Sequence, residues 1–307
     1  MIDYNDSELL KRLKKEYDET LKRGYLKMGN GFFDGDFPYS PKYPLYFKKV
    51  CLRILVKQMR KSVYLAYKKG AGHELDEGPK GIPPKFLSIG SSSRFCFVSL
   101  DVYKYIGEKE GADYFSHDGE RIKRTYFEKK LPIFDDDSIP PHMDAYAKTS
   151  KREYFFECKC HEMFDEHPLE LSKKYFGTGK DLVVDHIPSE YLHKKGNGMI
   201  VIDPEAFGLK EVVFDVKQLL THLMGIVCNK TRKNCDLIYF YSFPREKDIE
   251  DPRIKEVIEK VKEDAIKVFE SNIIKDYCLA HNITLRFYAY DGHGTYAADK
   301  TLVHKIY

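Results

Sequence analysis

The chain has 307 residues, 42% hydrophobic and 32% charged, a composition typical of a globular protein with a sizeable core. Its net charge of +3, from 51 basic and 48 acidic residues, is too small to establish a nucleic-acid partner and not acidic enough to exclude one. There is no apolar run of signal-peptide or membrane-span length, and seven scattered cysteines do not suggest a disulfide framework, so we expect a cytoplasmic protein without a membrane partner.

The first part of the chain is predicted to be helical. Apolar residues at spacings of three and four predict helices over residues 7–23 and 45–68, joined by a Gly- and Pro-punctuated loop at 30–44. Gly70 is expected to end the second helix, because glycine permits a left-handed exit. Residues 91–106 are ambiguous, since their serines suit a helix cap whereas their aromatic residues suit a strand.

The remainder of the chain alternates between predicted strands and helices. Strands are predicted at 122–128, 143–147, 152–161, 199–203, 236–243 and 283–290, and helices at 214–228 and 253–281. This order predicts a mixed α/β sheet with helices on both faces. Residues 1–69 could form a separate helical region before a domain at 70–307, although one continuous domain is also compatible with the pattern.

The strand at 152–161 carries charged residues into an apolar stretch. A period of two places Phe155, Glu157, Lys159 and His161 on one face, with Phe156, Cys158 and Cys160 on the other. Burying a lone carboxylate or ammonium costs several kcal/mol. Glu157 and Lys159 therefore need a partner, a metal ion or water at the end of this strand.

A polar turn at residues 148–151 folds the preceding strand back and brings Asp144 close to Glu157. Two carboxylates at a strand end repel each other unless a cation lies between them. Hard oxygen ligands suit Mg²⁺, which accepts one or two carboxylates and keeps several waters. A neighbouring Lys159 could orient or deprotonate a water, so the group has the parts needed to attack a phosphodiester.

Asp144 followed by Glu157-Cys158-Lys159 after a hairpin resembles the core of the PD-(D/E)XK nucleases, which include many restriction endonucleases. The resemblance implies a restriction-endonuclease-like core of a helix, three strands, a helix and a strand. It also implies that Asp144 and Glu157 hold Mg²⁺, or Mn²⁺ as a substitute, with the Cys158 backbone carbonyl as a further ligand. Lys159 would assist the attacking water. Met143 stands where the family usually has proline.

Two further segments extend this resemblance to about residues 70–245. "GAGHEL" at 70–75 and "SSSRF" at 91–95 are similar to one restriction-endonuclease-like branch, which implies that Glu74 joins the metal site. "QLLTHL" is similar to an element that follows the core strands in some members and implies that Gln218 and His222 lie near the site. His222 could equally be a buried core histidine.

Two other acidic-x-Lys triplets compete with the one at Glu157. Glu128, with Asp118 upstream, precedes two lysines and a Leu-Pro step, so we expect an exposed edge there. Asp215 lies in a predicted helix, where residues two apart point in different directions. Only Glu157 combines an aromatic lead-in with a hairpin back to an aspartate.

Other chemistries are less well supported. Cys158, Cys160 and His161 could hold zinc with Cys228 and Cys235, but alternate strand positions do not match the usual ligand spacing. Cys160 and His161 point to opposite faces and so cannot form a nucleophile pair. The remaining candidates are Gly177-Thr178-Gly179-Lys180, predicted to be a plain loop, and His293 in a strand-end turn at 290–296.

The residues and this resemblance together favour a Mg²⁺-dependent endonuclease acting on DNA. The resemblance implies double-stranded DNA as the partner, and structure-specific DNA or RNA stays open. A double-strand cut would need two sites, which a symmetric homodimer supplies most simply. The alternative is a catalytically inert nucleic-acid-binding protein with the same sheet, in which Glu157 and Lys159 pair only with each other. An enzyme acting on another phosphate-bearing substrate also stays open.

Overall fold

The structure is a computed structural model that describes residues 2–4, 6–27, 42–43, 45–70, 72–101, 111–136, 139–291 and 303–305. Its α-helices are α1 (Ser7–Lys27), α2 (Lys49–Gln58), α3 (Lys61–Lys69), α4 (Ser92–Leu100), α5 (Val216–Asn229), α6 (Pro252–Glu270) and α7 (Asn272–Ala280). Its strands are β1 (Thr125–Lys130), β2 (His142–Lys148), β3 (Arg152–Lys159), β4 (Glu170–Ser172), β5 (Leu192–Lys195), β6 (Met199–Ile202), β7 (Asn234–Phe243), β8 (Ile283–Asp291) and β9 (Val303–Lys305).

The main sheet has the strand order β1-β2-β3-β7-β8-β9. β1, β2 and β3 form an antiparallel meander, β7 and β8 run parallel to β3, and the short β9 is antiparallel at the edge. Parallel neighbours require crossover connections, which α5 provides between β3 and β7, and α6 with α7 between β7 and β8. A second small sheet, ordered β4-β6-β5, lies in the connection from β3 to α5. The predicted mixed α/β sheet is confirmed.

Helices cover both faces of the main sheet. Phe155 of β3 packs in a hydrophobic cluster that includes residues of α1, α5 and α6. Its neighbour Phe156 packs in a second cluster that includes residues of α3 and α4. The buried residues of the helices in the proposed N-terminal region, residues 1–69, therefore belong to the same hydrophobic clusters as those of the sheet.

Two predicted helices are each divided in two. The prediction over 45–68 corresponds to α2 and α3, because Met59 is extended and its N–H is shared between the carbonyls of Leu55 and Val56. The prediction over 253–281 is interrupted at Ser271, whose extended backbone separates α6 from α7. Neither break contains glycine or proline, so the apolar spacing continues across it and the sequence pattern does not reveal it.

The ambiguous segment at 91–106 forms a helix over its described part. The Ser91 side chain accepts a hydrogen bond from the Arg94 N–H and so caps α4, which ends at Leu100. The strand predicted at 122–128 is displaced and runs from Thr125 to Lys130. Most of the loop predicted at 30–44 lies outside the described residues.

A buried charge network joins β3, β7 and β8 at the end opposite the predicted site. Asp236 is fully buried and accepts hydrogen bonds of 2.7 Å from both Arg152 and Arg286. His117 Nε2 lies 2.8 Å from the same carboxylate. The network therefore links all three strands of the parallel core.

None of the described helices is long and apolar enough to cross a bilayer. The seven cysteines are free thiols, and all but Cys228 are buried. Their burial agrees with the role of small apolar residues in packing.

Candidate functional site

The end of β3 places two opposite charges in the protein interior. Glu157 is 3% exposed and Lys159 is 7% exposed. Glu157 Oε1 and Lys159 Nζ are 3.0 Å apart. The predicted alternation is confirmed, since Phe155 and Cys158 pack in the clusters on opposite faces of the sheet. Both charges therefore lie on the face covered by α5.

The site lies where β2 and β3 separate. Ala145 pairs with Phe156, which places the next two residues, Asp144 and Glu157, opposite each other. Instead of continuing the ladder, the Cys158 N–H donates a 2.7 Å hydrogen bond to Asp144 Oδ2. Burial, and then the charge of Glu157, raise the pKa of Asp144 well above its usual value. The half-buried Asp144 and the buried Glu157 are thus brought together.

The pKa values of Glu157 and Lys159 are both raised, for different reasons. Burial raises the pKa of Glu157 to about 7, although Lys159 acts in the opposite direction. Burial disfavours the ammonium form of Lys159, but Glu157, Glu162 and Asp215 together raise its pKa above the ordinary value. Lys159 is therefore a fixed cation in this structure, suited to stabilising negative charge rather than to accepting a proton.

The first turn of α5 brings Gln218 between these charges. Asp215 caps the helix by accepting a 2.9 Å hydrogen bond from the Gln218 N–H. The Gln218 side chain donates through Nε2 to Glu157 Oε1 at 2.8 Å and accepts from Lys159 Nζ at 2.5 Å. Glu157, Lys159 and Gln218 form a closed triangle that holds both charged side chains in one orientation.

His222 lies one helical turn after Gln218, on the same side of α5. Its Nε2 is 3.1 Å from the His142 carbonyl oxygen, and its Nδ1 is 3.3 Å from the Tyr239 hydroxyl. Burial, and then Lys159, lower the pKa of His222 to about 3. The ring is therefore neutral, with Nε2–H donating to the carbonyl and Nδ1 accepting from the hydroxyl. Since Nε2 is 3.8 Å from Glu157 Oε2, His222 supports the carboxylate through packing rather than through charge.

Two more carboxylates belong to this site, and the predicted site did not include them. Glu162 Oε2 accepts a 2.6 Å hydrogen bond from the Cys160 N–H. Burial opposes its charge, but Lys159 and His161 lower the pKa of Glu162. Asp215, treated in the sequence as a rival triplet, has its pKa lowered to about 2 against the effect of burial, first by His167 and then by Lys159. An acidic residue immediately before an amphipathic helix is a capping signal, so Asp215 could have been identified that way.

Glu128 is the clearest correction to the sequence analysis. The pairs Phe127–Ala145 and Lys129–Met143 place Glu128 opposite Asp144, so three carboxylates, which we call the carboxylate row, cross β1, β2 and β3. Glu128 has a φ of 55°, which is uncommon for a residue with a side chain. Burial, then Asp144, then Glu74 raise its pKa to about 8. The expected edge is confirmed, since β1 ends the sheet and the two lysines after Glu128 are exposed, but the Glu128 side chain itself is half-buried beside Asp144.

Glu74 lies in a turn between α3 and α4 rather than on a helix. Burial raises its pKa, while Lys85 and a hydrogen bond with the Ser93 side chain act in the opposite direction. Ser93 belongs to the "SSSRF" segment, so the two upstream segments singled out in the sequence contact each other. Glu74 reaches the site through its electrostatic effect on Glu128.

The donor atoms where β2 and β3 separate fit a hard divalent cation. Asp144 and Glu157 supply carboxylate oxygens, and the Cys158 carbonyl lies on the same edge of β3 as the N–H that Asp144 binds. Among the residues that the structure describes, no three His, Cys, Asp or Glu side chains form a group that could hold a metal ion. Glu74 therefore does not complete a three-carboxylate group here, and a cation would rely on backbone oxygens and water, as Mg²⁺ commonly does.

The alternative chemistries gain no support. Burial raises the pKa of the Cys160 thiol well above its usual value, which disfavours a nucleophilic thiolate. His161 instead contacts Asp18 at 3.0 Å. The Lys180 ammonium donates to the Ile133 carbonyl at 2.7 Å, so the segment at 177–180 is a loop tied to the body of the protein. His293 lies outside the described residues.

Comparison of the chain with protein-family models, with curated proteins and with solved structures yielded no match.

Proposed function

We propose that the protein is a Mg²⁺-dependent endonuclease that hydrolyses phosphodiester bonds in DNA, on a core like that of the PD-(D/E)XK restriction endonucleases. The observation that carries the proposal is the placement of Asp144 and Glu157 opposite each other, with Lys159 on the face of Glu157. The order α4, three antiparallel strands, α5 and then β7 parallel to β3 also supports such a core.

Asp144, Glu157 and the Cys158 carbonyl are the groups that would hold the cation, with Mn²⁺ as a substitute for Mg²⁺. A divalent cation held there supplies positive charge next to the scissile phosphate and makes a bound water more acidic. Burial and the nearby Glu157 raise the pKa of Asp144, so the ionised forms of both carboxylates are unfavourable side by side. A divalent cation bound between them would relieve this repulsion.

The remaining side chains position these groups and stabilise charge. Lys159, kept in its ammonium form by three carboxylates, is placed to stabilise the negative charge that develops on phosphate oxygens. Gln218 fixes the orientation of Glu157 and Lys159 through its two hydrogen bonds. The neutral His222 fills the space behind Glu157 and ties α5 to β2 and β7.

The proposed substrate is double-stranded DNA, and a symmetric homodimer would supply the two sites that a double-strand cut requires. A reducing cytoplasm agrees with the seven free thiols.

A second function, an inert nucleic-acid-binding protein, is favoured by one specific observation. The Gln218 amide and the Lys159 ammonium together satisfy Glu157 Oε1 without any metal ion. In that case the triangle would be a structural ion pair, and the site would need no metal ion.

The test of the proposed function is nicking of supercoiled plasmid in the presence of Mg²⁺. We expect Asp144→Ala and Lys159→Ala each to lower the rate by about 100-fold or more. A matched control is Lys151→Ala, an exposed lysine in the turn at the opposite end of β3, which should retain the wild-type rate. Equal nicking by all four proteins, or none by the wild type, would refute the proposal.

Titration with Mn²⁺ by calorimetry separates the two candidate functions. We expect the wild type to release or absorb heat on binding Mn²⁺ and Asp144→Ala to give no such heat. Thermal melting should show that the variant is folded. A wild-type protein that binds DNA but gives no heat with Mn²⁺ is the inert binding protein.

A further inference from the structure

The segment that contains α2 and α3 is strongly basic. Residues 37–72 include no aspartate or glutamate, and they include nine lysines and arginines: Lys42, Lys48, Lys49, Arg53, Lys57, Arg60, Lys61, Lys68 and Lys69. The whole chain carries nearly equal numbers of both signs, so this concentration of one sign is local. A surface of this kind attracts polyanions.

We call five exposed side chains along α2 and α3 the basic track: Lys49, Arg53, Lys57, Lys61 and Lys69. The first three are four residues apart on α2, so they lie on one face of the helix and span about 12 Å. Lys61 begins α3 and Lys69 ends it. The buried faces of both helices point the other way, with Leu55 and Val63 in the core.

Most of the basic track is not neutralised within the protein. Lys49 is 2.7 Å from Glu77, whereas the other four members form no ion pair with any residue that the structure describes. Lysines on α6 behave differently: Lys260 pairs with Asp264, and Lys262 pairs with Glu259. The track is therefore a surface whose charges are available to an external anion.

The basic track ends at the candidate site. α3 packs against β1, and Gly70 follows its last residue. A Cβ atom at Gly70 would lie 2.8 Å from Glu128 Oε2, so the end of α3 is in close contact with the first member of the carboxylate row. Glu128 lies opposite Asp144, so the track ends beside the first carboxylate of the row, on the face of the sheet that α3 covers.

A cavity lies at the other end of the track, before the first turn of α2. Its volume is about 290 Å³, and it is lined by Lys42, Tyr43, Phe47, Lys49, Gly81 and Pro83. Phe47 is buried against Arg94, whereas Tyr43 is half-exposed beside Lys42, and an aromatic ring beside a lysine is the combination that stacks on bases while neutralising phosphates. The cavity extends the track with groups that suit a nucleotide.

We propose that the basic track binds the phosphate backbone of DNA and directs it toward the carboxylate row. This inference rests on the proposed function for its choice of polyanion. An anionic membrane is the competing partner, because Val50, Ile54 and Leu65 are exposed between the cations. The contact of α3 with Glu128 favours nucleic acid, because a membrane surface would make no use of the carboxylates at the end of the track.

The test measures binding of a labelled DNA duplex in EDTA, where no cleavage can occur, over a range of salt concentrations. The test variant is Arg53→Ala/Lys57→Ala/Lys61→Ala, and the matched control is Lys148→Ala/Lys151→Ala, exposed lysines in the β2–β3 turn. We expect the test variant to bind about tenfold or more weakly and its salt slope to fall by roughly 0.9 for each phosphate that the protein no longer binds. The control should bind as the wild type does.

A charge-preserving variant, Lys57→Arg/Lys61→Arg, should keep both the affinity and the slope of the wild type, and all variants should melt as the wild type does. An unchanged affinity and slope in the alanine variant would overturn the inference. So would track-dependent binding to phosphatidylserine vesicles without binding to DNA. If the alanine variant of the track cleaves DNA as well as the wild type does, this inference fails and the proposed function stands. If DNA binding depends on the track but the protein neither binds a metal ion nor cleaves DNA, the proposed function fails and this inference stands.

Discussion

Replacing Glu128 by glutamine should stabilise the metal-free protein, and the gain should grow with pH. Burial, Asp144 and Glu74 raise the pKa of Glu128 from 4.5 to about 8. A carboxyl group whose pKa is raised on folding costs no stability below its unfolded pKa and costs progressively more as the pH rises toward its folded pKa. The neutral amide of Glu128→Gln keeps the size of the side chain and removes this cost.

The magnitude follows from the protons that folding retains. Between pH 5 and pH 8 the folded protein holds a proton on Glu128 that the unfolded chain has released, which weakens folding by up to about 4 kcal/mol. Since water reaches this half-buried side chain, we expect a difference of about 2 kcal/mol. Glu128→Gln should therefore stay within about 0.5 kcal/mol of the wild type near pH 5 and exceed its unfolding free energy by about 2 kcal/mol at pH 8.

Urea unfolding in EDTA at both pH values measures this difference. Glu190→Gln, at an exposed glutamate, is the matched control and should change the unfolding free energy by less than about 0.5 kcal/mol at either pH. A Glu128→Gln gain that is the same at pH 5 and pH 8, or a loss at pH 8, would refute the reasoning that Glu128 is held beside other carboxylates.

Three further predictions concern packing, the buried network and the site. Gly225→Ala in α5 should destabilise the protein by about 1–3 kcal/mol in thermal or urea unfolding, because the new Cβ would lie 2.8 Å from Leu131 Cβ; Gly196→Ala, with open space around it, should not. Asp236→Asn should cost about 3–5 kcal/mol, since Arg286 would lose the carboxylate that balances its buried charge and Arg152 would keep only Glu120, 3.9 Å away, as a carboxylate partner among the described residues. An unchanged urea midpoint would contradict this. Gln218→Ala should lower plasmid nicking by about tenfold or more in folded protein, because its amide bridges the two charged side chains of the triangle; nicking at the wild-type rate would show that the triangle does not position them.

Local patterns were sufficient for the centre of the site. The period of two along β3 predicts that Glu157 and Lys159 share a face, and the short polar turn predicts that Asp144 returns beside them. The four-residue separation of Gln218 and His222 predicts a common side of α5. These inferences succeed because each depends on residues close together in the sequence, where backbone geometry leaves few alternatives.

Helix boundaries were less predictable, because they depend on contacts between residues that are distant in the sequence. The breaks at Met59 and Ser271 contain no residue that forbids a helix, and the apolar spacing continues across them. Packing of each short helix on the sheet determines where the chain turns, and that packing involves residues distant in sequence. The residues from Ser91 onward suit a helix or a strand equally well, and only the Ser91 cap in the folded protein distinguishes the two.

The sequence by itself determined the mixed α/β class, the pairing of strands in the hairpin, and the side of β3 that carries charge. Only the tertiary structure decided that Glu128 faces Asp144, that Glu162 and Asp215 hold Lys159 in its charged form, and that the end of α3 lies against Glu128. The physical reason is range. Backbone periodicity acts over a few residues, whereas electrostatic coupling acts between any groups that folding buries together, and it has no signature in the spacing of the chain.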